Sequence, residues 1–177
     1  MAPPVVVHGD MQISQSTACA MYVGKQCGFP APDDCLGSCY LNCIVDVFEN
    51  GIGKNNTDGA DLKVYLDGDG KGPSRFAKFA GSVEKQIKGP FYFGEEKSYV
   101  DFFLGHIHSY YTATTLAKFE KATGKDIFAP FPKIKAVCKV IQELPSFVNA
   151  QAKEGALNLA KPEYTIKDEV IAAYKAA

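Results

Sequence analysis

The chain has 177 residues, 46% hydrophobic, 12% aromatic and 22% charged, without tryptophan; that much apolar material can build a buried core and excludes a disordered polymer. Its 19 basic and 20 acidic residues leave a net charge of −1, and no run of four Lys or Arg occurs, which argues against a nucleic-acid binder that relies on bulk charge. One full domain, or one domain and part of a second, fits this length.

The chain opens with Val5-Val6-Val7, a β-branched strand entering a tight turn at His8-Gly9-Asp10; Met11–Ser14 returns as a second strand. Ser14 or Ser16 then reads as the cap of a helix that runs to about Cys27 and stops at Gly28 and Pro30. Asp33 and Asp34 open a second helix, with Leu36, Tyr40, Cys43, Ile44 and Val47 at helical spacing, ending before Gly51. Residues 51–73 carry Gly51, Gly53, Gly59, Gly68, Gly70 and Gly72, which predicts a flexible connection with a helical turn at 60–66. Helical periodicity resumes after Pro73 through Phe76, Phe79, Val83 and Ile87, and Gly89-Pro90 breaks it. Further helices are expected over Tyr99–Tyr111, Thr115–Ala122 and Pro132–Leu144, after Pro145, and from Thr165 onward. The fold class is therefore mainly α behind a short hairpin, with Phe76, Phe79, Phe102, Phe103, Ile107, Val137 and Ile141 as candidate core.

The six cysteines lie at 19, 27, 35, 39, 43 and 138. The N-terminal stretch has no basic n-region, and His8, Gly9 and Asp10 interrupt its apolar patch, so it does not read as a secretory signal; no apolar run has the length of a membrane span. Free thiols in the cytoplasm or another reducing compartment are the expectation, and the sequon Asn55-Asn56-Thr57 is given no role. Cys35, Cys39 and Cys43 recur every four residues on one helix face. Thiolates are soft metal ligands, but zinc ligands pair at tighter spacing in turns; buried thiols are the preferred reading and no metal is assigned. Asp67-Gly68-Asp69-Gly70-Lys71-Gly72 resembles a calcium loop and fails at its fifth and twelfth positions, Lys71 and Lys78. His106 and His108, two apart on a helix, point to different faces and are assigned no chemistry. Tyr22, Tyr110 and Tyr111 are ordinary core or surface aromatics.

Three segments, in order, resemble the glutathione transferase family. PVVVHGDMQISQSTACAMYVGKQCG is similar to the second half of its thioredoxin-like domain, where a cis-proline opens a strand, a hairpin follows and a Gln-Ser pair begins the next helix. FYFGEEKSYVDFFLG resembles its G-x-x-x-S-x-A-D segment, and FPKIKAVCKVIQELPSFVNAQ its late helix and the proline-started helix after it. The form Ser14-Gln15-Ser16 is closest to the sigma, mu and alpha-like group, and the likeness is weakest across 50–75. It implies a hairpin-plus-helix remnant of the thioredoxin-like domain over residues 1–30 and an all-α C-terminal domain over 31–177. It also implies glutathione as ligand, bound by Pro3, Pro4, Gln15 and Ser16. A helix N-terminus with unpaired N–H groups suits the γ-glutamyl carboxylate, although a serine there is also an ordinary cap. Ser98 and Asp101 form a capping box, and Lys97 stands where the family has an apolar staple residue.

The departures shape the functional expectation. The family's first strand, which carries the catalytic Tyr, Ser or Cys, is not in this sequence, so no catalytic residue is assigned. Pro3 occupies the position whose N–H and C=O would bond the cysteinyl backbone of glutathione, and proline has no N–H to donate; one such bond is worth about 0.5–1.5 kcal/mol. The expectation is a non-catalytic scaffold or subunit of a larger assembly, in which another protein chain covers the exposed hairpin. The other reading is a conjugating transferase whose first strand lies outside these residues.

Overall fold

The computed structural model describes residues 4–156 and 165–177. Strand β1 (Val5–His8) pairs antiparallel with β2 (Met11–Ser14), Val5 opposite Ser14 and His8 opposite Met11. The two-residue turn between them needs a left-handed backbone, which Gly9 supplies at φ 58°. Among the described residues the elements after the hairpin are helices: α1 (Ser16–Gln26), α2 (Asp34–Val47), α3 (Gly59–Asp67), α4 (Arg75–Gln86), α5 (Tyr99–Tyr111), α6 (Ala117–Thr123), α7 (Pro132–Gln142), α8 (Pro145–Ala156) and α9 (Asp168–Ala176). The mainly α class with a small hairpin is the one the periodicity indicates.

Local chemistry sets several helix boundaries. The Asp33 side chain accepts from the Leu36 N–H at 2.8 Å, Asp58 from those of Ala60 and Asp61, and Ser74 from Ala77, so α2, α3 and α4 each start on a side-chain cap. Helix α6 ends on Gly124 at φ 70°, and α7 begins with Pro132, whose missing N–H would be unpaired there anyway. Helices α2 and α5 both pass at their C-terminal ends into π-helical turns, Phe48–Gly53 and Thr112–Leu116.

The core sits between α2, α4, α5 and α7. Leu41, Ile44, Val47, Leu104, Ile134 and Ile141 are all fully buried in it. Phe128 joins its halves: its ring stacks on Phe48 at 5.5 Å and meets Phe76 edge-on at 5.3 Å. Helix α1 packs on α5 and α2, which mounts the hairpin on the bundle.

Several expectations are corrected. The serines do not cap α1: the cap residue is Gln15, with no side-chain cap bond, because Ser14 completes β2 and Ser16 is already helical. Residues 51–73 are not simply a flexible connection. A π-helical turn ends within them, the helical turn expected at 60–66 is α3, and Gly51, Gly53 and Gly59 serve close packing. A Cβ on Gly59 would fall 2.3 Å from the Tyr174 nitrogen and 2.4 Å from the Val170 oxygen of α9. Phe79, Phe102 and Phe103 are only partly buried against the core, whereas Phe76, Ile107, Val137 and Ile141 are fully inside. The thiols of Cys27, Cys35 and Cys39 are exposed and Cys43 is half-buried, so only Cys19 and Cys138 fit the buried reading.

Candidate functional site

The hairpin and α1 meet at Gln15. This residue sits at φ 78°, ψ 128°, the only non-glycine at positive φ among the described residues. Such a conformation costs about 1–3 kcal/mol and persists only where surrounding structure enforces it. The enforcing contacts are visible nearby. Cys19, buried one turn into α1, directs its thiol to the carbonyls of Ile13 at 3.4 Å and Pro4 at 3.6 Å, tying both strands to the helix. His8 Nδ1 is bonded to the Tyr22 hydroxyl further along α1. With both strands held, the chain must reverse sharply between Ser14 and Ser16. Gln15 takes up that reversal, and its side chain stays exposed instead of folding back as a cap.

The fold thereby gathers Pro4, Gln15 and Ser16 at the N-terminal end of α1, separated in sequence but adjacent in space. Pro3, the fourth residue of the sequence-derived set, lies outside the described residues. Pro4 and Ser16 also line a cleft of about 400 Å³ against the bundle, closed by Glu49, Phe103, His106, Ile107, Tyr110 and Tyr111. The opposite wall is one face of α5, where Phe103, His106, Ile107 and Tyr110 recur at helical spacing. The first π-helical turn borders the cleft through Glu49, and Tyr111, on the cleft wall, immediately precedes the second. Such turns often mark functional sites, because they re-aim side chains that a regular helix would hold in register.

The electrostatics of this wall are those of a desolvated surface. Burial pushes the Tyr111 hydroxyl above its ordinary value, with the Glu49 charge adding to the effect, and burial likewise raises Glu49.

Of the other residues marked in the sequence, Ser98 and Asp101 form the expected capping box at the start of α5. Asp101 is fully buried; it accepts from the Ser98 N–H and hydroxyl and, through its other oxygen, from the Tyr92 N–H, each at 2.8 Å. Burial raises its pKa, and these three bonds oppose the rise. The box thus also pins the 88–97 loop, and Lys97 places its ammonium over the Phe91 ring, 5.0 Å from the centroid. His106 is exposed at the cleft, whereas His108 is half-buried beside Phe48 and Phe128. In the glycine-rich loop, Asp67 bonds Lys125 and the Tyr174 hydroxyl, fastening α9, while Asp69 closes a turn on the Lys71 N–H. Among the described residues, no group of three or more His, Cys, Asp or Glu is placed to hold a metal ion. None of the described helices is long and apolar enough to cross a membrane.

The sequence pointed to Pro4, Gln15 and Ser16 but not to the cleft wall. Its signal was the 103/106/107/110 stripe on α5, which periodicity alone cannot distinguish from core. Val5 and Val7 are 40% and 64% exposed and Met11 is 48% exposed, and β1 pairs only with β2 among the described residues. No protein-family model matches the chain, and no curated protein matches it.

Proposed function

We propose that this chain is a glutathione transferase-like protein that binds glutathione at the N-terminal end of α1 and serves, without catalysing conjugation itself, as a subunit of a larger assembly. The observation that carries the reading is the backbone of Gln15. A residue held at φ 78° between a tethered hairpin and a helix is a local conflict with stability, and such conflicts gather at binding sites. It exposes the Gln15 amide beside the first N–H groups of α1, where an α-carboxylate is favoured by the unpaired donors and the helix dipole. Ser16 adds a hydroxyl at the same end, and the apolar cleft behind it offers room for what the thiol would carry.

The non-catalytic part of the proposal rests on the cleft chemistry. Burial keeps Tyr111, a phenol on the cleft wall, in its neutral form, so it supplies no phenolate base to take the proton of a bound thiol. The assembly part rests on the hairpin: Val5, Val7 and Met11 present apolar surface beside an unpaired strand edge, which another chain can cover.

Titration calorimetry of the 177-residue protein with glutathione, alongside a turnover assay with an aromatic electrophile, tests both parts. Saturable binding without turnover is the expected outcome. Failure to bind removes the family reading, and turnover removes the non-catalytic one. Native mass spectrometry reads the assembly, and a monomer stable at high concentration would remove the reason for a partner.

A further inference from the structure

Cys39 and Cys43 lie on consecutive turns of α2, away from the cleft. Cys39 is exposed and Cys43 is half-buried beneath it. The two thiols lie one turn apart and close enough to perturb each other, and Cys43 also receives the Gln86 Nε2 amide of α4 at 3.3 Å. The fully buried Tyr92 hydroxyl, which has no hydrogen-bond partner among the described residues, lies within electrostatic reach of Cys43. Cys35, one turn earlier, is exposed and does not receive the Gln86 amide.

We propose that Cys39 and Cys43 form a thiol–disulfide exchange site, with Cys39 as the attacking and Cys43 as the resolving thiol, for which a low-molecular-weight disulfide is the oxidant. The Cys39 thiolate attacks one sulfur of R–S–S–R, forms Cys39–S–S–R and expels the first R–S⁻. The Cys43 thiolate then attacks the Cys39 sulfur, expels the second R–S⁻ and closes the Cys39–Cys43 bond. Two protein thiols are oxidised, one external disulfide is reduced to two thiols, and the protons lost by the cysteines end on those products.

The assignment of roles follows from access and from position. An external disulfide reaches exposed Cys39 first, and the half-buried Cys43, one turn along the same helix, is placed to attack the adduct. Burial raises the Cys43 thiol, which slows its reaction with outside reagents but not its proximity to Cys39. Residues four apart on a helix have Cβ atoms about 5–6 Å apart, against about 3.5–4.5 Å in a disulfide. The bond therefore forms only with local tightening of α2 and is easily reduced, the behaviour of a reversible exchange site and not of a structural crosslink.

The test uses the full chain and 2-hydroxyethyl disulfide, so that it is independent of the glutathione reading. After acid quenching and alkylation, fragmentation mass spectrometry locates each modification. The expected result is a wild-type Cys39–Cys43 bond, seen as loss of two hydrogens, while exposed Cys27 and Cys35 keep single adducts. In Cys43→Ser the crosslink is lost and the adduct stays on Cys39; in Cys39→Ser, Cys43 becomes the slowest of the three to react. A wild-type protein that holds a stable adduct on Cys39, or that joins Cys35 to Cys39, overturns the proposal.

Discussion

Replacing Gln15 with glycine separates strain from ligand contact at the N-terminal end of α1. In the native chain Gln15 is held at φ 78°, ψ 128°, a conformation costing a residue with a side chain about 1–3 kcal/mol. Glycine occupies it without that penalty but loses more backbone entropy on folding, about 0.5–1 kcal/mol. The difference predicts a net stabilisation of about 1 kcal/mol, or about 2–4 °C in thermal midpoint for a chain of this size. Because the Gln15 side chain is exposed and makes no cap bond, its removal offsets none of that gain. Glutathione affinity moves the other way: loss of an amide bond to a carboxylate costs about 1.5–3 kcal/mol, roughly 10- to 150-fold in Kd. Gln15→Ala is the control, since alanine keeps the strain and loses the amide, so affinity falls while the midpoint stays near wild type. Calorimetric melts and glutathione titrations of the three proteins check both signs. If the glycine variant is less stable than wild type, the strain argument fails; if it binds glutathione as tightly, Gln15 does not contact the ligand.

Other consequences follow from single contacts. Asp101→Ala strands the N–H groups of Tyr92 and Ser98 in the core, and at about 1–3 kcal/mol for each buried donor left unpaired urea melts should show a loss of at least about 2 kcal/mol. Gly59→Ala presses a methyl against the α9 backbone and should cost about 1–3 kcal/mol, with faster amide exchange across 168–176 as the local readout. His108 is held down to about 4, chiefly by burial, and its Nδ1 already faces the Gln142 amide, a donor. The unfolded chain therefore binds this proton first, so stability falls as pH drops from about 6.5 to about 4, by about 3 kcal/mol in all. Nuclear magnetic resonance titration of the imidazole and urea melts at pH 7 and pH 4 check this, and His108→Gln should flatten that part of the profile.

Sequence alone was sufficient where a feature depends on neighbours along the chain. The hairpin follows from three consecutive valines and a Gly-Asp turn, and the starts of α2 and α5 follow from Asp33 and from the Ser98/Asp101 spacing, because caps act within one turn. Periodicity placed α4, α5 and α7, yet it could not tell a face turned to the core from one turned to a cleft. Phe103 and Tyr110 became cleft wall only because α1 carries the hairpin across α5. Glycine counting misread 51–73 for a similar reason: whether a glycine loosens a chain or admits a neighbour depends on what lies against it, and for Gly59 that neighbour, α9, is over 100 residues away. The serine cap failed because the strands, tethered through Cys19, fix where α1 begins. The same tether forces Gln15 into its conformation and brings Pro4 beside Ser16, and it arises from contacts between segments that local preferences do not describe.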